Sequence, residues 1–235
     1  MMTTAIPRPR WRARAGVLVL LGAVACGGHN HLGEYDFAQR SMAVVIVSPP
    51  APGLLTGGYD VSASDAAVAA VLKAGSTVAK DVEARRASAR LDSATARVGV
   101  TGDLAQRTLE RTSRYLGTRP VTSANDADFL LEVHMRSFGL DARSENPYLY
   151  TNAEAVLLDR RTGREIWNIK VHGTDRLTPR VRGAGQVPGA GAIIAAGMLR
   201  TMTVQDFQDA LQQLADLSSN LMADELRSAL RDERN

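Results

Sequence analysis

The sequence predicts an α+β domain in which a small mixed sheet, including a hairpin, packs against two or three helices. Three observations lead to this class. Several short segments are β-branched or alternate between apolar and polar residues, and longer segments repeat apolar residues every three to four positions. Aromatic residues make up only 5% of the chain while alanine is abundant, which favours helices on a small sheet over a large all-β core.

The N-terminus has the layout of a bacterial export signal. Four arginines between positions 8 and 14 precede an apolar run, 15–25, which at about eleven residues is too short to span a bilayer as a helix. The letters LGAVAC, which end at Cys26, resemble the lipobox of bacterial lipoproteins. We therefore expect cleavage between Ala25 and Cys26 and acylation of the Cys26 thiol, with an ordinary cleavage after Ala25 as the alternative.

Cys26 is the only cysteine of the chain, so it cannot form a disulfide within it. In an exported protein a lone thiol is open to oxidation, and acylation removes that risk. Gly27 follows at the position where Asp commonly retains lipoproteins at the inner membrane. By this resemblance we expect the lipid on Cys26 to anchor the chain at the periplasmic face of the outer membrane, with the periplasmic face of the inner membrane as the alternative.

The charge of the chain argues against nucleic-acid binding. The formal net charge is +3, but the predicted signal holds four arginines and no acidic residue. Its removal leaves 24 basic and 25 acidic residues. A nearly neutral domain has no general electrostatic footprint for nucleic acid or for an anionic membrane.

The predicted organisation is a signal peptide at 1–25, a lipidated flexible tether at 26–40 and a single globular domain at 41–235. The tether is polar and contains glycine, with no sustained periodicity. The run SMAVVIVS, 41–48, is apolar on both faces and indicates a buried central strand. A loop with three prolines and three glycines follows at 49–60.

Three segments are predicted to be helical. The first follows a cap at Ser62 or Ser64, and we expect its apolar stripe to face the core: Val68, Val71, Leu72, Val78 and Val82. The second, 103–116, ends at Gly117. The C-terminal amphipathic helix, 204–230, has a stripe that should dock on the sheet: Phe207, Leu211, Leu214, Leu221, Leu226 and Leu230.

The strongest strand pattern is the alternation at 128–138, which predicts a half-buried strand. Two further strands, 152–159 and 165–173, flank a short turn and are predicted to form a hairpin. Asp159, Thr162 and Gly163 are the expected structural residues of this turn, since Gly163 supplies the left-handed residue that it needs.

These segments resemble a group of small envelope lipoproteins related to the curli-secretion lipoprotein and to the penicillin-binding-protein activators. The matching positions are an early strand at 43–47, a strand at 127–133, and the hairpin residues Asp159, Thr162, Gly163 and Trp167. The resemblance implies a domain like the N-terminal domain of the TolB translocation protein. Because it rests on structural residues, it implies a fold and not an activity.

A hydrolytic site is the first chemical possibility that the sequence raises. His134 and His172 fall on the polar registers of predicted strands, and Glu132 and Asp175 are the nearby carboxylates. No Gly-x-Ser-x-Gly, Ser-x-x-Lys or His-Glu-x-x-His pattern accompanies them. We therefore predict no catalytic residue and expect that the protein is not an enzyme.

A metal or phosphate site is the second possibility. His29 and His31 lie close to Cys26, but an acylated Cys26 has no thiolate to offer a metal. The glycines of 183–191 are typical of phosphate-binding loops, yet no Gly-Lys-Ser or Gly-Lys-Thr follows them. We predict no metal and no cofactor, and we interpret 178–203 as a Gly/Ala-rich connector whose apolar part, 190–202, packs inside the protein.

The sequence thus predicts a periplasm-facing, membrane-anchored lipoprotein that acts as a non-enzymatic interaction module in cell-envelope assembly or transport, with envelope proteins as partners. Two alternatives stay open. The protein is a carrier of an apolar ligand or lipid, with the connector as a lid over the sheet, or it is an envelope hydrolase that uses His134 or His172.

Overall fold

The structure is a computed structural model that describes residues 30–47, 50–56, 67–144, 146–177 and 191–233. For 67–77 and 191–194 the description covers the backbone alone. The predicted signal, Cys26, His29, the helix cap at Ser62 or Ser64 and the glycine-rich stretch up to position 190 lie outside the described residues.

The described chain forms four helices and six strands, which confirms the α+β class. Two or three helices were predicted and four are present, because α3 lies within the segment predicted as a connector. The helices are α1 (Ala67–Thr95), α2 (Val100–Leu116), α3 (Gly191–Thr201) and α4 (Val204–Asp232). The strands are β1 (Ser41–Val47), β2 (Gly53–Leu55), β3 (Arg119–Pro120), β4 (Phe129–Asp141), β5 (Tyr148–Asp159) and β6 (Glu165–Arg176).

All six strands belong to one mixed sheet. Its order is β3-β1-β4-β5-β6, and β2 pairs with the far end of β4. β1 runs parallel to both β3 and β4, whereas β4, β5 and β6 are successive antiparallel neighbours. The predicted hairpin is therefore β5–β6, and each of its strands is longer than expected.

One face of the sheet packs against α2 and α4. On the opposite face, side chains in the middle of β4, β5 and β6 are half-buried or exposed. Alternation along β4 sets this division, since Phe129, Leu131, Val133 and Met135 are buried as the pattern predicts. We call the other side the open face; it carries Glu132, His134, Asn152, Glu154, Lys170 and His172.

The periodic patterns of α2 and α4 gave correct core faces. Ala105, Leu109, Thr112 and Leu116 are buried on α2, and Gly117 ends that helix in the left-handed conformation at φ 72°. On α4, Phe207, Leu211, Leu214 and Leu226 are buried, while Leu221 and Leu230 are partly buried against the same core. Thr203 begins α4 with a capping box, in which its hydroxyl accepts from the Asp206 N–H.

The predicted inward stripe of α1 was wrong for its second half. Val78 and Val82 are 46% and 42% exposed. The buried positions on α1 are instead Ala84, Ala87, Leu91 and Ala94. α1 packs against α3, an alanine-rich helix, and small side chains allow the two helices to approach closely.

α3 lies inside the predicted connector, and its buried residues agree with internal packing. Ala195 and Leu199 are fully buried. The Arg90 guanidinium on α1 donates to the carbonyl oxygens of Leu199, Arg200 and Met202, at 2.8, 3.0 and 2.6 Å. Because the last carbonyls of a helix have no partner within it, Arg90 caps the end of α3.

The predicted tether is shorter than expected, because residues 30–40 are part of the packed domain. Leu32 and Phe37 are 1% and 6% exposed. The rings of Phe37 and Phe129 lie 4.8 Å apart, centroid to centroid, and Tyr35 packs edge-on against Phe129. The segment was predicted to be a tether because its composition is mostly polar. Its three apolar residues, Leu32, Tyr35 and Phe37, nevertheless pack against residues that are distant in sequence.

Candidate interaction surface

The strand β1 is an open edge over its second half. Its prediction as a buried central strand holds only for Ser41, Met42 and Ala43, which are buried. β3 pairs with Ser41 and Met42 alone, whereas β4 follows β1 up to Val47. Exposure rises accordingly, to 47% at Ile46 and 39% at Val47.

The backbone hydrogen bonds of β1 show which of its N–H and C=O groups point outward from this edge. The carbonyls of Arg40 and Met42 accept from Arg119 and Val121 on the β3 side. Since the polar groups of successive residues in a strand point to opposite sides, those of Val44 and Ile46 also point away from β4. In the described part of the chain no strand pairs with Val44 or Ile46 on that side.

The two edges of the sheet differ in how they are protected. β6, the opposite edge, exposes Lys170, His172 and Arg176, and residue Asn30 bridges to its Trp167. The β1 segment SMAVVIV contains no charged residue and no proline. Charges and irregularities are the usual means by which proteins prevent edge pairing, and the second half of β1 has neither.

The open face carries pairs of polar side chains instead of one convergent cluster. His134 Nε2 lies 3.1 Å from Glu132 Oε2, and the Arg136 guanidinium donates to Glu154 at 2.7 Å. On β6, His172 Nδ1 lies 2.7 Å from Asn152 Oδ1.

The four candidate hydrolytic residues are not brought together. Glu132 does pair with His134, but His172 lies two strands away on β6, a lateral separation of roughly 10 Å. Asp175 is an odd number of residues from His172 on the same strand and thus points to the covered face, where burial raises its pKa. These four residues therefore form one histidine–carboxylate pair and not a triad.

The described residues contain no group of three or more histidine, cysteine or acidic side chains that could hold a metal ion. His31 Nδ1 lies 2.8 Å from Glu34 Oε1, and Glu34 also accepts from Arg164 at 2.7 Å. The hydrogen bond from Arg164, followed by that from His31, lowers the pKa of Glu34.

The predicted turn residues hold the β5–β6 hairpin. Gly163 has φ 70°, and its N–H donates to the Asp159 carbonyl at 2.8 Å. One carboxylate oxygen of Asp159 accepts from the N–H groups of Arg161 and Thr162. Asp159 thus closes the turn with its side chain, and Arg160, Arg161 and Arg164 are left exposed around it.

A buried carboxylate at the end of β4 was not identified from the sequence. Asp141 is 2% exposed; it accepts from the Arg143 guanidinium and, at 2.9 Å, from the Tyr148 hydroxyl. Burial by itself would raise the pKa of Asp141, but the bonds from Arg143 and Tyr148 outweigh it and the pKa is lowered. Lys80 on α1 donates to the Arg143 carbonyl at 3.2 Å, so this cluster joins α1 to the sheet.

A depression of about 520 Å³ lies along α4 beside α2. Its walls include Arg107, Asp216 and three amide side chains, with Leu217 as the apolar contribution. Arg107 and Arg111 each lie 2.6 Å from Asp216, and the hydrogen bond from Arg111 is the main cause that lowers the pKa of Asp216. The depression is shallow and open to solvent, so it would not enclose an apolar ligand, most of whose surface a binding pocket buries. The lid of the carrier hypothesis falls partly on 178–190, outside the described residues.

No described helix is both long and apolar enough to cross a membrane. The lipid anchor predicted at Cys26 and its cleavage site also lie outside the described residues.

Comparison with protein-family models and with curated proteins gave no match. Among solved structures, the chain is similar to a candidate lipoprotein of Caulobacter crescentus, with 17% identity over 58% of this chain and 98% of that one, at a TM-score of 0.31. It is also similar to a lipoprotein of Neisseria meningitidis, with 12% identity over 67% and 94% of the two chains, at a TM-score of 0.31. A Xanthomonas campestris protein aligns with 16% identity over 57% of this chain and 66% of that one, at a TM-score of 0.34.

Proteins named as lipoproteins are therefore among the structures that this chain resembles. The grouping with curli-secretion and penicillin-binding-protein-activator lipoproteins, and the TolB-like domain, stay predictions.

Proposed function

We propose that this chain is a lipoprotein anchored through Cys26 at the periplasmic face of the outer membrane, and that it works by protein contact and not by catalysis. The observation that supports the contact function is the unprotected edge of β1, where the backbone groups of Val44 and Ile46 point away from the sheet. Strand addition at such an edge is a recurring mode of peptide recognition, in which backbone hydrogen bonds supply affinity and alternate side chains supply specificity.

The chemistry of the edge describes the partner that would fit. Val44 and Ile46 lie on the covered side of the sheet and Val45 and Val47 on the open side, so both faces of an added strand would meet β-branched residues. On the open side the next residues on β4 are Glu132 and His134. The partner is thus an extended segment of an envelope protein whose apolar residues would meet Val44 and Ile46 on one face and Val45 and Val47 on the other.

Site-specific photo-crosslinking in intact envelopes tests the contact function. Ile46 and Val78 are a matched pair, since they are 47% and 46% exposed aliphatic residues on β1 and α1. A photoreactive amino acid at position 46 should give a reproducible adduct with one envelope protein, and the same residue at position 78 should not. Ile46→Lys should abolish capture of that protein in a pull-down. Equal adducts at both positions, or none at 46, would exclude the edge as the contact.

The anchor is tested separately. Wild-type protein should incorporate palmitate, partition into detergent and accumulate with a full-length signal under globomycin. Cys26→Ala should lose palmitate incorporation and detergent partitioning and should keep its signal with or without globomycin, and Gly27→Asp should shift the protein from outer-membrane to inner-membrane fractions. Unchanged processing of Cys26→Ala would refute the anchor without affecting the β1 contact.

A further inference from the structure

The position at which the described chain begins limits how far the domain can move from a lipid on Cys26. Asn30 bridges to Trp167 on β6, and its side-chain amide donates to the Ala229 carbonyl on α4 at 3.3 Å. The His31 N–H donates to the Ile166 carbonyl at 2.8 Å. Only four peptide units separate Asn30 from Cys26, and these reach at most roughly 14 Å when fully extended.

A tether that stayed free to residue 40 would behave differently. Fourteen peptide units reach roughly 50 Å, which would let the domain rotate at a distance from the bilayer. The packed residues 30–40 remove most of that length. A domain held within roughly 14 Å of its lipid has to present to the bilayer the side on which Asn30 lies.

Three segments form that side, which we call the anchor-side surface: 30–34, the hairpin turn 160–164, and the end of α4 at 229–233. The ion pair of Arg164 with Glu34, at 2.7 Å, joins the turn to the N-terminal segment. Arg160 and Arg161 are exposed in the same turn; the Arg160 Nε also donates to the Ala127 carbonyl at 2.6 Å, so Arg161 is the arginine most available to a phosphate. The end of α4 adds the exposed Arg231, Asp232 and Glu233. Guanidinium groups bind phosphate oxygens well, and a cation close to an anionic bilayer is attracted to it.

We propose that the anchor-side surface rests on phospholipid headgroups, with the arginines of the β5–β6 turn at the phosphates and the open β1 edge turned away from the bilayer. β1 and β6 lie at opposite edges of the sheet, three strand spacings or roughly 14 Å apart. The edge that accepts a partner is then directed into the periplasm. This inference rests on the proposed function, because it needs the lipid on Cys26.

Quenching by labelled lipid tests the orientation with the full lipidated chain. Cys26 is the only cysteine, and its thiol is blocked by acylation, so an introduced cysteine is the one reactive thiol. Thr162→Cys in the turn, Ile46→Cys on β1 and Val78→Cys on α1 would each carry the same fluorophore. The proteins would be reconstituted into vesicles of phosphatidylethanolamine and phosphatidylglycerol at a molar ratio of about 3:1, in which some lipids carry a nitroxide on the headgroup.

We expect at least about threefold stronger quenching at position 162 than at 46 or 78, because nitroxide quenching is confined to short distances and the anchor-side surface lies next to the headgroups. Arg161→Glu should reduce the quenching at 162, whereas Arg85→Glu, an exposed change on α1, should leave it unaltered. Equal quenching at 162 and 46 in vesicles that carry the protein would overturn the orientation and favour a protein, such as a second copy, as the occupant of this surface. Protein that failed to float with the vesicles would overturn the lipid anchor and, with it, the orientation.

Discussion

Truncation of Leu32 decides whether residues 30–40 are a tether or part of the fold. Leu32 is 1% exposed and belongs to the same hydrophobic core as Trp167 and Leu226. Leu32→Ala removes its buried methyl groups and leaves a cavity, which costs about 3 kcal/mol of the free energy of unfolding for a fully buried leucine. In a domain of this size that loss corresponds to a decrease in Tm of roughly 6–12 °C.

The assay is urea unfolding of the mature chain followed by circular dichroism, with Ala38→Ser as the control. Ala38 is exposed in the same segment, so its variant should keep the free energy of unfolding within about 0.5 kcal/mol of wild type. A free tether would make Leu32→Ala equally neutral. A loss below about 0.5 kcal/mol for Leu32→Ala would therefore refute the packing, and with it the short reach of the anchor.

Three further predictions concern other parts of the fold. Arg90→Ala should reduce the free energy of unfolding by about 1–2 kcal/mol, since it leaves the carbonyls of Leu199, Arg200 and Met202 without their cap, whereas Arg86→Ala should have little effect; equal losses in urea unfolding would contradict this role. Gly139→Ala should cost about 2 kcal/mol or more, because a Cβ there would strike the backbone of Gly53 and displace β2, while Gly197→Ala, in open space on α3, should stabilise by about 0.5 kcal/mol; thermal unfolding of the pair compares them. Asp141→Asn should remove a pH-dependent part of the stability: the folded pKa of Asp141 is lowered, so its contribution is present above the ordinary value of 3.8 and is lost as pH falls through the folded pKa. The difference in free energy of unfolding between wild type and Asp141→Asn should thus be largest near pH 6 and shrink on acidification. A difference that grew in acid would contradict a lowered pKa of Asp141.

The candidate interaction surface could be predicted only in part. The alternation at 128–138 correctly placed Glu132 and His134 on one face, because the two-residue period of a strand is a local property. The absence of a strand beside β1 beyond Met42 could not be predicted, since it depends on the length of β3, which pairs with only two residues of β1. Likewise, α1 was assigned its apolar stripe from Val78 and Val82, but the side that packs carries the buried Ala84, Ala87, Leu91 and Ala94.

The sequence by itself determined the α+β class, the core faces of α2 and α4, the alternation of β4 and the hairpin with its turn at Gly163. Each of these depends on residues within one or two turns or strand lengths of one another. Only the tertiary structure decided that Asn30 meets Trp167 and Ala229, and that Val44 and Ile46 form an open edge. The physical reason is that burial and edge pairing depend on which distant segments come to lie alongside, and composition does not carry that information.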